Sequence, residues 1–198
     1  MHSMLKLNNI TLVCVDCLNY IESVKAIHAS IENIEFDKVL LFTDRIFKDK
    51  LDIIPIEKIT SKKEYSKFII KELYKYIETD FVLIIQYDGY IINPDLWNDK
   101  FLDYDYIGAP WWYSVNNVGN GGFSLRSKKL LNTVKDLKIY HPEDDVICRG
   151  NRQLLESKGI KFAPEDIAKQ FSYEPNNKRE PFTNHTFGFH GLGNLILR

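Results

Sequence analysis

Cysteine is scarce in this chain, and its odd count of three in 198 residues does not make a disulfide framework, so the fold must rest on a packed core. Cys14 and Cys17 form a C-x-x-C pair, the spacing of a redox centre or of half a zinc site. A zinc site wants a second pair and only Cys148 remains, so Cys14 is read as a core residue of a strand. An excess of one charge is also missing. Lys and Arg number 26 against 27 Asp and Glu, and the basic residues are scattered among acidic ones, which argues against a nucleic-acid partner. No apolar run approaches the roughly 20 residues that span a bilayer, and residues 1–6 lack the apolar core of a signal peptide. The expected compartment is therefore the cytoplasm, with peripheral membrane attachment left open. Residues 1–3, ahead of Met4, read as an expression remnant and stay outside the fold reasoning.

The chain does have enough apolar residues, 44%, to build a core, and its length suits one domain. Residues 10–15 are almost wholly apolar and end at Asp16, as a buried parallel strand does. Ile21, Val24, Ile27 and Ile31 fall at helical spacing, and a second apolar run, 38–42, ends at Thr43 and Asp44. This is a βαβ unit. After an extended piece at 53–59, Tyr65, Phe68, Ile69, Leu73, Tyr76 and Ile77 predict a helix over 62–77, capped by Thr60 or Ser61 with Glu64 in its first turn. Residues 81–85 form the most apolar strand and run straight into Gln86-Tyr87-Asp88-Gly89. Strands are expected at 106–109 and 122–125, a helix started by Ser127 over 127–137, and a helix over 143–158 stopped by Gly159. A strand at 160–163, a helix at 164–170, a surface loop at 172–185 and an extended piece at 186–189 complete the pattern. The sum is a single α/β domain with a mostly parallel sheet covered on both faces. Ligands of such sheets bind at the carboxyl ends of the strands, which singles out Asp16, Asp44 and Gln86-Tyr87-Asp88.

Four segments have residue types suited to chemistry. In Gln86-Tyr87-Asp88-Gly89, a carboxylate at a strand end beside a glycine suits a divalent cation that also grips a diphosphate, although Asp-Gly is equally a common turn pair. In the segment from Gly119 to Arg126, the glycines leave bare backbone for a sugar to lie against, and Asn120 and Ser124 offer hydrogen bonds to hydroxyls; the alternative is a plain surface loop. Glu143, Asp144 and Asp145 open a helix, where carboxylates are ordinary stabilisers, yet three exceed what capping needs and one could serve as a general base. His190, between Phe189 and Gly191, could supply an imidazole nitrogen to a metal or be a hydrogen-bonded structural histidine.

Taken in order, these segments resemble the GT-A glycosyltransferases, and in particular the family of short GT-A-like proteins known as DUF5672. The resemblance runs through Gln-x-Asp-Gly after a strand, Ile107-Gly108-Ala109-Pro110-Trp111, the Asn120-Gly121-Gly122-Phe123-Ser124-Leu125-Arg126 run, Pro142-Glu143-Asp144-Asp145, and Phe189-His190-Gly191. It implies a single Rossmann-like GT-A domain that moves a sugar from a nucleoside-diphosphate sugar, UDP-linked ahead of GDP-linked, to a glycan acceptor in polysaccharide assembly. The cofactor implied is Mn²⁺ or Mg²⁺, with Asp88 and His190 as ligands and Gln86 standing where the family group has its first acid. Asp16, Asp44, Tyr65, Lys67, Gln86, Tyr87 and Asp88 are the donor-site residues it implies, Lys67 by offsetting diphosphate charge. Trp111, Trp112 and Tyr113 suit sugar stacking, with Asn120, Gly121 and Gly122 beside them. Glu143 with Asp144, or Asp144 with Asp145, matches the acidic pair beneath the acceptor in inverting enzymes, and Asp144 is common to both. A homodimer or a partner completing the acceptor site is a further expectation. The competing reading is a non-catalytic carbohydrate-binding or scaffold protein that keeps the GT-A fold; a nucleotidyltransferase or phosphatase is disfavoured by the lack of a glycine-rich basic loop.

Overall fold

A computed structural model of the chain describes residues 4–112, 115–140, 142–175 and 184–191. Residues 1–3, Tyr113 and most of the loop expected at 172–185 lie outside these.

Strand β1 (Leu5–Val15), helix α1 (Tyr20–Ile31), β2 (Ile34–Thr43) and β3 (Asp52–Pro55) open the domain with parallel pairing throughout. Helix α2 (Lys62–Lys71) and β4 (Phe81–Ile85) follow, and β4 joins β1 in parallel. The strands β5 (Tyr106–Gly108) and β6 (Phe123–Ser127) finish a six-stranded sheet of order β3-β2-β1-β4-β6-β5, in which β6 alone runs against the others. Side chains alternate across the sheet. Leu12 and Cys14 of β1 join one core cluster with Leu83, Ile85 and Leu125, while Val13 and Val15 join another with Phe42, Val82 and Ile84. Burial on both faces is what requires near-continuous apolar runs rather than alternation in β1 and β4.

The expected mostly parallel sheet flanked by helices is therefore present. Ser61 closes the start of α2 by a capping box with Glu64, its Oγ accepting from the Glu64 N–H at 3.2 Å while Glu64 Oε2 accepts from the Ser61 N–H at 3.0 Å. Four expected elements need correction. The helix foreseen over 62–77 leaves α-geometry after Lys71 and continues as a 3₁₀ turn, Leu73–Lys75, that buries Leu73 and leads to buried Ile77. The helix α3 (Lys128–Val134), capped by Ser127, is shorter than expected. The helix foreseen over 143–158 is instead a single turn α4 (Glu143–Asp145), a π turn Val146–Gly150, and α5 (Arg152–Ser157). The wide turn contains three consecutive buried residues, Val146, Ile147 and Cys148, and ends at Gly150 with Asn151 as its cap, both poor helix formers. The strand expected at 160–163 reduces to one bridge between Tyr106 and Phe162. Helix α6 (Glu165–Phe171) leads into β7 (Ser172–Tyr173), which pairs in parallel with β8 (Gly188–Phe189). No helix among the described residues is long and apolar enough to cross a membrane.

Cys14, Cys17 and Cys148 are all buried free thiols, and burial pushes the Cys14 thiol up to about 12. A thiol so far from ionisation is an inert core group.

Candidate active-site cleft

The reversed direction of β6 decides what meets at the sheet edge. Because Ile85 pairs with Phe123, the turn that follows β4 and the glycine-rich loop that precedes β6 lie side by side. With the loop after β1, the start of α2, the start of α4 and the end of β8 they enclose a cavity of about 450 Å³. Its lining includes Asp16, Tyr65, Gln86, Tyr87, Trp111, Asn120, Gly121, Gly122, Glu143, Asp144 and His190 from the residues singled out in the sequence. Asp44, Lys67, Asp88, Trp112 and Asp145 are not in its lining, although Asp88 stands against His190.

One wall carries a buried charge network. Arg126, on β6 and fully buried, donates from Nη2 to Glu143 Oε1 at 2.8 Å and from Nε to Ser124 Oγ at 3.0 Å, with its guanidinium 5.1 Å from the centre of the Tyr106 ring. Burial works against the Arg126 charge, but Tyr106 and the Glu143 carboxylate hold its pKa above the ordinary arginine value. Burial, and then the charge of Asp144, push the Glu143 carboxyl up, while Arg126 opposes them. Glu143 is thus committed to Arg126. Asp144 faces the cavity and accepts the Gly121 N–H on Oδ2 and the Asp145 N–H on Oδ1, each at 2.9 Å. Asp145 pairs with Arg149 one turn on, an ordinary helix contact, whereas Glu143 and Asp144 both line the cavity.

The opposite wall is built around His190. Gln86-Tyr87-Asp88-Gly89 does form a β-turn, the Gly89 N–H donating to Gln86 O at 3.1 Å, and the turn places its side chains on the histidine. His190 Nε2 is 3.1 Å from Gln86 Oε1 and 3.4 Å from Asp88 Oδ1; Nδ1 is 3.5 Å from Glu174 Oε1. Burial works against a charge on His190, yet Asp88 and Glu174 hold its pKa up at about 9. For Asp88, burial works against ionisation and His190 outweighs it, so the carboxyl is held below its usual range. Gln86 Oε1 and Asp88 Oδ1 both face His190 Nε2, a place that a proton on Nε2 or, with the ring neutral, a cation can occupy. Neighbouring ligands of one octahedral ion at bond lengths of about 2.1 Å sit roughly 3 Å apart, close to the separations here. Among the described residues no cluster of three or more His, Cys, Asp or Glu is arranged to hold a metal ion. The residues present fit a partial site, an acid, an amide oxygen and an imidazole, with the remaining positions open to ligand oxygens.

The glycines of the loop serve the protein's own side chains. A Cβ on Gly122 would come within 2.1 Å of His190 Nε2, and one on Gly121 within 2.2 Å of Glu143 Oε1. At these two positions the space a Cβ would take holds the imidazole and the buried carboxylate, while both glycines still line the cavity. Asn120 holds a left-handed φ of 49°, its Oδ1 accepting the Gly122 N–H at 3.0 Å. Trp111 lies over Gly119 and lines the cavity half-buried, whereas Trp112 is 62% exposed. Asp16 lines the cavity, but its oxygens accept from the Leu18 and Asn19 N–H groups, both at 2.7 Å, and from Ser23 Oγ at 3.1 Å, fixing the start of α1. Asp44 stands 3.5 Å from its neighbour Arg45. Lys67 lines a separate depression with Glu57, Lys58 and Tyr76, and the lysine at the cavity is Lys62, one turn earlier on α2. Lys62, Arg126 and Glu174 had no role in the sequence reading; Glu174 in particular reaches the site only through the β7–β8 pairing, which no spacing in the sequence reveals.

Residues 49–190 match the family described as "Protein of unknown function (DUF5672)", more than two thirds of the chain. Among solved structures the chain is similar to the galactosyltransferase LgtC in complex with donor and acceptor sugar analogs, at 14% identity and a TM-score of 0.53, covering 92% of this chain and 87% of that one. It is also similar to the mannosyltransferase PcManGT from Pyrobaculum calidifontis in complex with GDP-Man and Mn²⁺, at 8% identity and a TM-score of 0.55, covering 81% of this chain and 56% of that one. These likenesses show a GT-A fold. No curated protein matches by sequence.

Proposed function

The chain belongs to the DUF5672 family and has a GT-A fold, and from that premise we propose that it is a glycosyltransferase using a nucleoside-diphosphate sugar, with glycan or polysaccharide assembly as its setting. The observation that carries the reading is the meeting of Gln86, Asp144 and His190 in one cavity at the carboxyl edge of the sheet, with Asp88 against the histidine. Asp144 is the general base: its carboxylate is held by two backbone N–H groups and faces the cavity, so it can take the proton of an acceptor hydroxyl. As the proton moves to Asp144, the acceptor oxygen bonds to the anomeric carbon, the carbon–oxygen bond to the diphosphate breaks, and the diphosphate departs with the electron pair. Attack opposite the leaving group inverts the anomeric centre. Asp88 and His190, with Gln86, would hold a Mn²⁺ or Mg²⁺, which supplies charge neutralisation to the diphosphate. Lys62, which lines the cavity where Lys67 does not, is the side chain that would offset diphosphate charge. Trp111 offers its ring to a sugar.

Calorimetry of UDP and GDP with and without Mn²⁺, on wild type and Asp88→Ala, tests the donor site. Tightening by Mn²⁺ that disappears in the variant supports the reading, and diphosphate binding absent under every condition sinks it. The anomeric configuration of the product, read by NMR, tests inversion: an α-linked product from an α-linked donor rules out single displacement.

A further inference from the structure

His190 has a neighbour that no part of the proposed reaction uses. Strands β7 and β8 pair Ser172 with Gly188 and Tyr173 with Phe189, and the His190 N–H donates to Tyr173 O at 2.9 Å, so Glu174 and His190 are the next residues in register. Both side chains line the cavity, and Glu174 Oε1 stands 3.5 Å from His190 Nδ1, an ion-pair distance rather than a formed hydrogen bond. Among the described residues, Glu174 Oε2 and His190 Nδ1 are each buried without a hydrogen-bond partner. On the other side of the ring, Nε2 meets Gln86 Oε1 and Asp88 Oδ1. A metal on Nε2 requires the proton on Nδ1, and Glu174 is the acceptor placed to receive it.

We propose that Glu174 is a positioning residue that fixes the tautomer and ring orientation of His190, so that Nε2 faces the cation site formed with Asp88 and Gln86. This rests on the donor-site reading above. The chemistry is that of a carboxylate behind a metal-binding imidazole: by accepting Nδ1–H it prevents the ring from turning and makes Nε2 a better ligand. Gly122 reinforces it by leaving the ring face room that a Cβ would fill. The arrangement also suits a site in which an amide, Gln86, replaces an acid, since the outer carboxylate restores negative charge without occupying a coordination position.

The test is Mn²⁺ affinity, measured by calorimetry and by the loss of the free-ion EPR signal, with UDP present, on the full chain as wild type, Glu174→Ala, Glu174→Gln, His190→Ala and the Glu174→Ala/His190→Ala pair. Glu174→Ala is expected to weaken Mn²⁺ by about 10–100-fold. Glu174→Gln, whose amide oxygen still accepts Nδ1–H, recovers part of that loss, and Glu174→Ala adds nothing once His190 is gone. Unchanged Mn²⁺ affinity in Glu174→Ala, or an equal loss in the His190→Ala background, overturns the assignment while leaving Asp88-dependent binding intact. If wild type shows no Mn²⁺-dependent UDP binding, the donor-site reading fails and this assignment with it.

Discussion

On the Glu143 side of the cleft, Arg126 is bonded to Glu143 and Ser124, and Asp144 to two backbone N–H groups; on the His190 side, Asp88 Oδ1, Glu174 Oε2 and His190 Nδ1 are buried without a hydrogen bond. Among the described residues, Arg126 Nη1 and the hydroxyls of Tyr65 and Tyr106 lack a partner on the first side, but both carboxylates there are bonded. A buried polar group without a partner costs about 1–3 kcal/mol, so the difference is energetic as well as visual. The first side is set by folding alone and can hold a base in place before any ligand arrives. The second leaves polar atoms without a hydrogen bond on both sides of the His190 ring, Asp88 Oδ1 facing Nε2 and Glu174 Oε2 on the Nδ1 side. On the proposed function, preorganisation therefore belongs to the acceptor side, and ligand dependence to the donor side.

That contrast can be broken from either side. The largest effect is expected from Asp144→Asn, which keeps the shape and removes the proton acceptor. Turnover should fall by about 10²–10⁴-fold, while Mn²⁺-dependent UDP or GDP binding stays at the wild-type level; retained turnover would remove Asp144 from the chemistry. Next is Arg126→Met, which leaves Glu143 buried without its cation. Denaturant unfolding should show a loss of about 3–5 kcal/mol, and a loss below about 1 kcal/mol would mean that the pair is not the strut described. Gly122→Ala probes the other wall: its Cβ must displace the His190 ring, so metal affinity should drop while the melting temperature changes little. Asp145→Ala should have the smallest effect, about 0.3–0.5 kcal/mol of stability from the lost pair with Arg149, with turnover unchanged.

The apolar runs of β1, β2 and β4 and the capping box of α2 were legible because their signals are local: burial on both faces, and a serine three residues before a glutamate. The antiparallel course of β6 was not, since apolar runs carry no direction, yet that reversal brings Gly121 and Gly122 to Gln86 and Glu143. The glycines were visible in the sequence, but not that the space a Cβ would take at Gly121 and Gly122 holds Glu143 and His190. Lys67 was chosen over Lys62 by its place in a resemblance, whereas helix phase turns Lys62 to the cleft. Glu174 carried no signal at all, because its meeting with His190 depends on a two-residue strand pair across a long stretch of chain.

The most direct test of the central claim is release of nucleoside diphosphate from a panel of UDP- and GDP-sugars, followed with and without Mn²⁺ for wild type and Asp88→Ala. The account predicts metal-dependent release by wild type from at least one donor and none by Asp88→Ala. Diphosphate binding with no release from any donor, with or without a glycan acceptor, would contradict it and leave a carbohydrate-binding protein on a GT-A fold.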